Sequence, residues 1–342
     1  MSSSENIGVQ GDQKARFLVV GAGTWGTALA INLAKNGHDI CLWDRDPSVL
    51  QTIQQERCNK KYIPEVPLPA NIRVEMDLNQ ALETADHVLL VVPSHGFAEI
   101  IQQIKPKWSD AKSLIWATKG LDAKTGQFLH QVVEKELGDR PYALLSGPSF
   151  AHEVARGLPT AVTIASKDLA YAMNLAYTFS NNTFRVYVTQ DVLGVQLGGV
   201  VKNVLAVAVG ISDGLHLGAN ARAALITRGL AEMMRLGEAL GAKRETLMGL
   251  AGCGDVILTC TDNQSRNRRF GLLLAEGMSE ASALQKIGQV VEAVYNVEQL
   301  CQMANAEKIE LPISEQVFRI VKQGLSPREA VTTLFARTPK SE

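Results

Sequence analysis

The chain has 342 residues, of which 46% are hydrophobic, and a formal net charge of −1. This length allows two domains of ordinary size, and the near-neutral charge gives no electrostatic basis for binding nucleic acid. Its five cysteines are odd in number and lack a framework spacing, which favours a reducing, cytoplasmic compartment over a disulfide-bonded secreted protein.

The segment 1–14 is polar and has no apolar run, so we interpret it as a flexible tail and not as a signal peptide. The longest apolar stretch, residues 204–211, is too short to cross a bilayer, and we therefore expect no membrane span. Cys253 and Cys260 have no nearby histidine and no CxxC spacing. The sequence thus predicts no metal site.

Short apolar runs alternate with segments of helical period through the first half of the chain. Continuous apolar strands separated by helices are typical of a parallel sheet that is covered on both faces. We therefore predict an α/β fold with a doubly wound parallel sheet. The predicted strands are residues 16–20, 39–43, 87–92, 113–118, 142–146, 160–166 and 181–189, and the clearest predicted helices are residues 24–36, 96–104 and 125–137.

The stretch 21-GAGTWG-26 lies between the first predicted strand and the first predicted helix. In this GxGxxG pattern Gly21 makes the tight turn, Gly23 lets the backbone approach a pyrophosphate, and Gly26 lets the helix pack closely on the sheet. The second strand leads into Asp44, 18 residues after Gly26, where an acid can bind a ribose. This context predicts a Rossmann-type site for NAD or NADP; the alternative is a glycine turn without a ligand.

Asp44 and Arg45 give conflicting indications about the cofactor. A carboxylate here would accept hydrogen bonds from the adenosine ribose and repel a 2′-phosphate, whereas an arginine would bind that phosphate or stack on adenine. The order Asp-Arg leaves the choice between NADH and NADPH open. It also leaves open that both are solvated turn residues.

After residue 190 the strand signals nearly vanish and helical periodicity dominates. We expect a dinucleotide-binding domain over residues 15–190 and an all-α substrate and catalytic domain over residues 191–342. In the latter, 198-GGVVKNVLAVAVG-210 is apolar on nearly every face except at Lys202 and Asn203, which predicts a buried helix. A buried ammonium needs partners or loses its proton, so Lys202 is a candidate proton donor. The alternative is a lysine whose stem packs while its head reaches water.

A third group of residues lies within 249–271. Three glycines in six residues mark a loop, and Asp255, which follows it, is a natural partner for a buried lysine. Ser265, Arg266 and Asn267 offer a hydroxyl, a planar cation and an amide in succession. This combination suits a phosphate group.

Through these motifs, the chain resembles the bacterial type of NAD(P)-dependent glycerol-3-phosphate dehydrogenase. The matching motifs run in the family's order from the first strand to near the end of the chain, and the long motif around Lys202 is the most specific. They are GAGTWGTALA at 21–30, ATKGL at 117–121, SGPSFAHEVARGLPT at 146–160, VKNVLAVAVGISDGLHLGANARAALITRG at 201–229, GLAGCGDVILTCT at 249–261, SRNRRFG at 265–271 and GQVVE at 288–292.

The resemblance implies hydride transfer with NADH or NADPH between dihydroxyacetone phosphate and sn-glycerol 3-phosphate, without a metal, supplying glycerol 3-phosphate for phospholipid synthesis. It implies that Lys202 transfers the proton, that Asp255 orients it, and that Lys119 contacts cofactor and substrate. The implied cofactor-binding residues are Gly21, Gly23, Thr24, Trp25, Gly26, Arg45, Lys119, Ala151, Arg266, Val290 and Glu292. The implied substrate-binding residues are Lys119, Gly147, Ser149, Lys202, Asn203, Asp255, Ser265, Arg266 and Asn267.

Two of these residues have plain structural alternatives. Ser149 could cap the helix that follows Pro148, and Glu292 could be a surface charge on a helix. Two other classes of protein also remain: a dehydrogenase acting on a hydroxy acid, and a cofactor-sensing protein that has lost catalysis. The SRN segment argues against the first, and the presence of all three candidate catalytic residues argues against the second. The oligomeric state is left open, with a homodimer as one option.

Overall fold

A computed structural model describes residues 14–338; of the predicted tail, all but Lys14 lies outside the described residues. The strands are β1 Arg16–Val20, β2 Asp39–Trp43, β3 Cys58–Asn59, β4 Ile63–Pro67, β5 Ile72–Val74, β6 His87–Leu90, β7 Ser113–Trp116, β8 Tyr142–Ser146, β9 Thr160–Ala165 and β10 Phe184–Thr189. The helices of the first part are α1 Thr24–Lys35, α2 Pro47–Glu56, α3 Leu78–Glu83, α4 Ser94–Ile104, α5 Leu129–Leu137, α6 Ala151–Arg156 and α7 Leu169–Phe179.

The second part is helical throughout its described length. It comprises α8 Val192–Gly214, α9 Gly218–Leu240, α10 Arg244–Met248, α11 Asp255–Thr261, α12 Arg266–Ala275, α13 Glu280–Ile287, α14 Glu292–Ala306, α15 Pro312–Gln323 and α16 Pro327–Phe335. A π-helical turn, Leu250–Gly254, leads directly into α11. The predicted succession of an α/β part and a helical part is confirmed.

Eight strands form one sheet in the order β10-β9-β8-β7-β6-β1-β2-β5, while β3 and β4 form a separate antiparallel pair. From β1 the chain passes to β2 and β5 on one side and then returns to β6 on the other side of β1. The strand order therefore reverses at β1 and β6. The crevice beyond the carboxyl ends of strands at such a switch point is the usual ligand site of open α/β sheets.

The sheet is parallel from β5 to β8, as predicted, but β9 runs antiparallel to β8, with Leu145 opposite Ile164. β10 then pairs in parallel with β9. The link between β8 and β9 contains only α6, whose six residues rise about 9 Å. The link does not carry the chain back to the other end of the sheet, so β9 begins where β8 ends.

Alternate residues of β1 point to opposite faces of the sheet, and both faces are covered. Val19 belongs to the core beneath α1, α2, α6 and α7, whereas Leu18 belongs to the core beneath α3, α4 and α5. Both side chains have no exposed surface. Burial on two faces explains why the strands are continuous apolar runs.

The 23-residue helix α8 is the centre of the helical part, where α9, α11, α12, α14 and α15 surround it. By length and composition alone α8 could cross a membrane, which the predicted stretch 204–211 could not, but 89% of its most apolar window is buried inside the protein. α12 approaches it closely at Gly210 and Gly271, since a Cβ on either glycine would overlap the backbone of the other helix. This contact fixes the start of α12 relative to Lys202.

The structure adds elements that the periodicity did not predict clearly, namely α2, α3 and the short strands β3 to β5. It also shortens the predicted helix 125–137, since α5 begins at Leu129. Asp122 explains that difference, because its carboxylate accepts from the N–H and the hydroxyl of Thr125 at 3.0 and 2.7 Å. This local turn competes with the helix over residues 122–125.

Candidate active site

The glycine turn between β1 and α1 has the shape that the sequence predicts. Gly21 has a φ of +107°, and a Cβ there would lie 2.6 Å from the carbonyl oxygen of Val91. A Cβ on Gly26 would overlap the carbonyl of Gly21. Gly23 is the N-cap of α1 and has no side chain to satisfy the first N–H groups of the helix. Those groups remain available to an anion.

Asp44 braces this turn. Its Oδ2 accepts from the N–H of Ala22 at 2.7 Å, and its Oδ1 accepts from the N–H of Asp46 at 2.9 Å. Arg45 is exposed to solvent. The alternative in which both residues are solvated is therefore wrong for Asp44.

Two lysines meet one carboxylate at the junction of the two parts of the chain. Lys202, on α8, places Nζ 3.0 Å from Asp255 Oδ1, and Lys119, just after β7, places Nζ 2.6 Å from Asp255 Oδ2. Thr259 accepts a hydrogen bond from Lys202 Nζ at 3.1 Å, and its own hydroxyl donates to Asp255 Oδ1 at 3.2 Å. Lys202 thus has partners, as a buried lysine requires.

Burial and charge act in opposite directions within this cluster. The Asp255 side chain is 1% exposed. Burial by itself would raise the pKa of Asp255, but Lys119 and Lys202 together hold that pKa below its ordinary value. Burial lowers the pKa of Lys119 to about 8, and Lys202 adds to the effect while Asp255 opposes it. Asp255 therefore stays ionised at neutral pH, and Lys119 loses its proton far more readily than an exposed lysine.

The loop after β8 faces the same cluster. Lys119 Nζ donates to the carbonyl oxygen of Gly147 at 2.9 Å, and Ser149 Oγ donates to the same oxygen at 3.0 Å. The N-cap of α6 is Phe150. The alternative in which Ser149 caps this helix is therefore wrong. Its hydroxyl instead shares the carbonyl oxygen of Gly147 with Lys119 Nζ.

Asn203 and Asn267 form a second chain of hydrogen bonds next to the cluster. Asn267 Nδ2 donates to Asn203 Oδ1 at 2.8 Å, and Asn267 Oδ1 accepts from the N–H of Ala293 at 3.1 Å. Ser265 is the N-cap of α12 and accepts from the N–H of Arg268 at 3.2 Å. Asn203 and Asn267 therefore hold α8, α12 and α14 together.

Arg266 differs from its neighbours. It is the first residue of α12, its side chain is exposed, and it makes no hydrogen bond or ion pair with the rest of residues 14–338. The carboxylate of Glu292 is close enough for its negative charge to act on this guanidinium. An uncommitted guanidinium at this place suits an anionic ligand.

Glu292 begins α14, and its carboxylate reaches the other part of the chain. Its Oε2 accepts from the hydroxyl of Ser94 at 2.6 Å, and its Oε1 accepts from the N–H of Ser94 at 3.2 Å. The alternative in which Glu292 is a surface charge is therefore wrong. Val290 lies just before it, partly buried, in the link between α13 and α14.

The remaining predicted residues occupy the edges of the crevice. Thr24 and Trp25 begin α1, Ala151 begins α6, and all three are partly buried. Arg45 follows β2, which lies across β1 from β7 and Lys119. Arg45 and Lys119 therefore follow the carboxyl ends of strands that are separated by β1 and β6 in the sheet.

Sequence reasoning missed Thr259 and Ser94. The spacing of Thr259 gave a usable signal, because residues four apart share a face of a helix and Asp255 was already a candidate. Ser94 gave none, since its partner Glu292 is 198 positions away in the chain.

The glycine turn follows β1 at a strand-order switch, and the lysine–aspartate cluster includes Lys119, which follows the parallel strand β7. Together they define a class of protein, the two-domain nicotinamide-dependent dehydrogenases. Comparison with known proteins supports the class and narrows it. Residues 17–172 match the family model for the N-terminus of NAD-dependent glycerol-3-phosphate dehydrogenase, and residues 191–332 match the model for its C-terminus. The chain belongs to this family.

Full-length relatives agree. The chain is 51% identical over 332 residues to a glycerol-3-phosphate dehydrogenase [NAD(P)+] of Shigella boydii serotype 18, which covers 96% of this chain and 98% of that protein, and it matches one from Escherichia coli O1:K1 equally well. A crystal structure of glycerol-3-phosphate dehydrogenase from Coxiella burnetii superimposes with a TM-score of 0.92 at 48% identity, over 95% of this chain and 99% of the other.

More distant structures share the fold. The glycerol-3-phosphate dehydrogenase of Saccharomyces cerevisiae has a TM-score of 0.79 at 26% identity, covering 94% of this chain and 99% of that one. A D-mandelate dehydrogenase gives 0.64 at 12% identity, a likeness of fold alone. As a member of its family, the chain is an oxidoreductase that acts on a CH–OH group with NAD(P), interconverting dihydroxyacetone phosphate and glycerol 3-phosphate.

Proposed function

We propose that the cluster of Lys202, Asp255 and Lys119 is the catalytic centre of this reaction. The observation that carries the proposal is that two lysines from different parts of the chain share one carboxylate that is 1% exposed. Such a buried charge is costly and is found mostly where chemistry needs it. The cluster lies next to the glycine turn's edge of the sheet, where a dinucleotide binds in this architecture.

Lys202 is the proton donor in the proposed mechanism. In reduction, the carbonyl at C2 of dihydroxyacetone phosphate gains a hydride and its oxygen gains the proton of Lys202 Nζ. In oxidation, Lys202 takes the proton of the C2 hydroxyl back. Asp255 and Thr259 hold Nζ in place, and Lys119 supplies a second positive charge where negative charge develops.

The residues around the glycine turn fit a dinucleotide, because the space around Gly23 is open and no side chain caps the first turn of α1. When bound, the nicotinamide supplies or accepts the hydride. The pyrophosphate side of the proposed site comprises Gly21, Gly23, Thr24, Trp25 and Gly26, the adenosine side Arg45, and the nicotinamide side Lys119, Ala151, Arg266, Val290 and Glu292.

The substrate's phosphate is assigned to the start of α12, where Arg266 has a free guanidinium. Binding a group remote from the reacting carbon positions the carbonyl and so contributes to the rate. The proposed substrate site comprises Lys119, Gly147, Ser149, Lys202, Asn203, Asp255, Ser265, Arg266 and Asn267.

We also propose a domain boundary, a cellular compartment and an oligomeric state for the enzyme. We place the division between the dinucleotide-binding domain and the catalytic domain at residue 190, one residue before Asp191 caps α8. We further propose that the enzyme is cytoplasmic, makes glycerol 3-phosphate for phospholipid synthesis and acts as a homodimer. The free cysteines of the described residues support the reducing compartment.

Replacement of Lys202 tests the proposal. Lys202→Ala is expected to lower kcat by roughly two to four powers of ten while leaving the affinity for NADH almost unchanged. Lys286→Ala, an exposed lysine on α13, is the matched control and should behave as wild type. Near-normal turnover of folded Lys202→Ala would refute the assignment.

A further inference from the structure

Asn296 lies in α14 with its side chain fully buried, and both ends of its amide are bonded. Its Oδ1 accepts from the N–H of Leu121 at 2.7 Å. Its Nδ2 donates to the carbonyl oxygen of Glu292 at 2.7 Å and to Glu292 Oε2 at 3.3 Å. One partner lies in the link after β7 and the other at the start of α14. A single buried amide therefore joins two segments that are far apart in the chain.

Gly120 and Ser94 complete this arrangement. Ser94 donates to both carboxylate oxygens of Glu292, as described above. Gly120 has a φ of +146°, and a Cβ there would lie 2.6 Å from Ser94 Cβ and 3.0 Å from Asn296 Nδ2. The backbone next to Lys119 is thus held between Ser94 and Asn296 with no room for a side chain.

We propose that Asn296 is a positioning residue that fixes the loop carrying Lys119 relative to Glu292. The inference rests on the proposed function, which places Lys119 at the substrate and Glu292 at the nicotinamide. Leu121 is two residues beyond Lys119, so losing the bond to its N–H frees the backbone from which Lys119 reaches Asp255. Losing the Nδ2 donor leaves the Glu292 carboxylate with its bonds to Ser94 but without its tie to the Lys119 loop. Lys119 and Glu292 are then no longer aligned with each other, as a near-attack arrangement requires.

Two variants of Asn296 and one control variant separate the two arms of the amide, which are the Oδ1 bond to Leu121 and the Nδ2 bonds to Glu292. Asn296→Ala removes both arms. Asn296→Asp keeps an acceptor for Leu121 but turns an oxygen towards the Glu292 carboxylate. Gln299→Ala is the matched control, because Gln299 lies on the same helix and donates to Ala123 of the same link at 3.1 Å.

Asn296→Ala is expected to lower kcat/KM for dihydroxyacetone phosphate roughly 10- to 100-fold at saturating NADH. Asn296→Asp is expected to raise the KM for NADH more than the KM for dihydroxyacetone phosphate, because its damage falls on Glu292. Gln299→Ala should stay within about twofold of wild type in both KM values. Rates are measured well below each variant's melting temperature. If Asn296 had only a structural role, its replacement would lower Tm and leave both KM values and kcat of the folded enzyme unchanged. That result would overturn the inference.

A double substitution shows whether Asn296 acts through Lys119. In a Lys119→Ala background at saturating NADH, Asn296→Ala is expected to lower kcat/KM for dihydroxyacetone phosphate by less than about threefold. Lys119 is then absent, and saturating NADH offsets the weaker cofactor binding that follows from the loss at Glu292. If Asn296→Ala lowered kcat/KM to the same extent with Lys119 present and with Lys119→Ala, the inference would be overturned. The proposed function would be unaffected by that result. Wild-type kinetics of Lys119→Ala itself would refute the proposed role of Lys119, and the inference with it.

Discussion

Asp255 is the residue on which the proposed chemistry depends most, because it gives each of two ammonium groups its own oxygen. A buried carboxylate with one cation would make a neutral pair, whereas this one leaves a net positive charge beside the site. That excess charge suits a substrate that carries a phosphate and develops negative charge at C2. Burial lowers the pKa of Lys119 most, and the positive charge of Lys202 lowers it further.

The lowered pKa of Lys119 predicts a pH dependence. Lys119 is charged below about pH 8 and neutral above it, so its attraction for an anionic substrate is lost as the pH rises through that value. We expect kcat/KM for dihydroxyacetone phosphate, which reports on groups of the free enzyme, to fall above about pH 8.

Lys119→Arg provides the control, since arginine keeps its charge to about pH 12. The variant is expected to be slower at every pH and to lose the fall above about pH 8. The same fall in Lys119→Arg would show that another group titrates.

We propose that Arg45 and Asp44 set the preference between NADH and NADPH. The Asp44 carboxylate is fixed by two backbone N–H groups, while Arg45 is free to reach a 2′-phosphate. We expect the enzyme to use both NADH and NADPH with a preference no greater than about tenfold, or roughly 1.4 kcal/mol. Arg45→Ala should weaken NADPH more than NADH, as measured by the two KM values.

Arg185→Ala, an exposed arginine on the edge strand β10, should leave both cofactors unaffected. Equal weakening of NADH and NADPH by Arg45→Ala would mean that Arg45 stacks on adenine. A wild-type preference of about a thousandfold, roughly 4 kcal/mol, would contradict this account of the turn.

At the scale of elements, Asp213 connects the three helices α8, α9 and α12. At the end of α8, it pairs with Arg268 of α12 at 2.5 Å and with Arg222 of α9 at 2.9 Å. The side chains of Asp213 and Arg268 are 7% and 9% exposed, whereas that of Arg222 is 38% exposed. Arg268 also donates from Nε to the carbonyl of Cys260 at 3.0 Å. The start of α12, with Arg266, is held in place by this network.

Because Arg268 is buried and Arg222 is partly exposed, loss of their ion pairs should lower the free energy of unfolding by unequal amounts. Asp213→Ala leaves the Arg268 cation buried without a carboxylate and should lower the free energy of unfolding by about 3–5 kcal/mol. Arg222→Ala, its matched control, leaves the buried pair intact and should cost less than about 1 kcal/mol. Chemical denaturation measures both, and equal costs would show that the pair of Asp213 with Arg268 has no special weight.

Elements also show how far the sequence could predict the structure. The central strands and α8 were predictable because burial on all sides leaves continuous apolar runs. The direction of β9 was not, since the pattern of a strand does not record which way it runs. The region of α2, α3 and β3 to β5 was weak because its elements are short and largely exposed.

The site was predictable where chemistry is unusual and hidden where it is ordinary. A lysine in an apolar helix and an aspartate after a glycine loop both stand out in the sequence, and they meet, although 53 residues separate them. Asn296 does not stand out, since an asparagine in an amphipathic helix is common and its partner Leu121 is 175 residues away. The resemblance to the family identified residues that are proposed to contact the cofactor or the substrate directly. The structure was needed to find Asn296, which is proposed to act through Lys119 and Glu292.

On the scale of the whole molecule, the catalytic cluster exists only when both parts of the chain are in place. Lys119 and Gly147 come from the strand-containing part, whereas Lys202 and Asp255 come from the helical part. Glu292 and Ser94 make a second connection between the two parts. We therefore infer that the contacts joining the two parts of the chain also align the proposed cofactor and substrate sites.

The most direct test of the account is the ratio of kcat/KM for dihydroxyacetone phosphate to kcat/KM for unphosphorylated dihydroxyacetone, measured with NADH in wild type and in Arg266→Ala. The account predicts a large preference for the phosphorylated substrate in wild type. It predicts that Arg266→Ala loses at least about tenfold of this preference, since a charged contact of this kind contributes about 1.5–3 kcal/mol. Equal use of both substrates by wild type, or an unchanged ratio in Arg266→Ala, would contradict it.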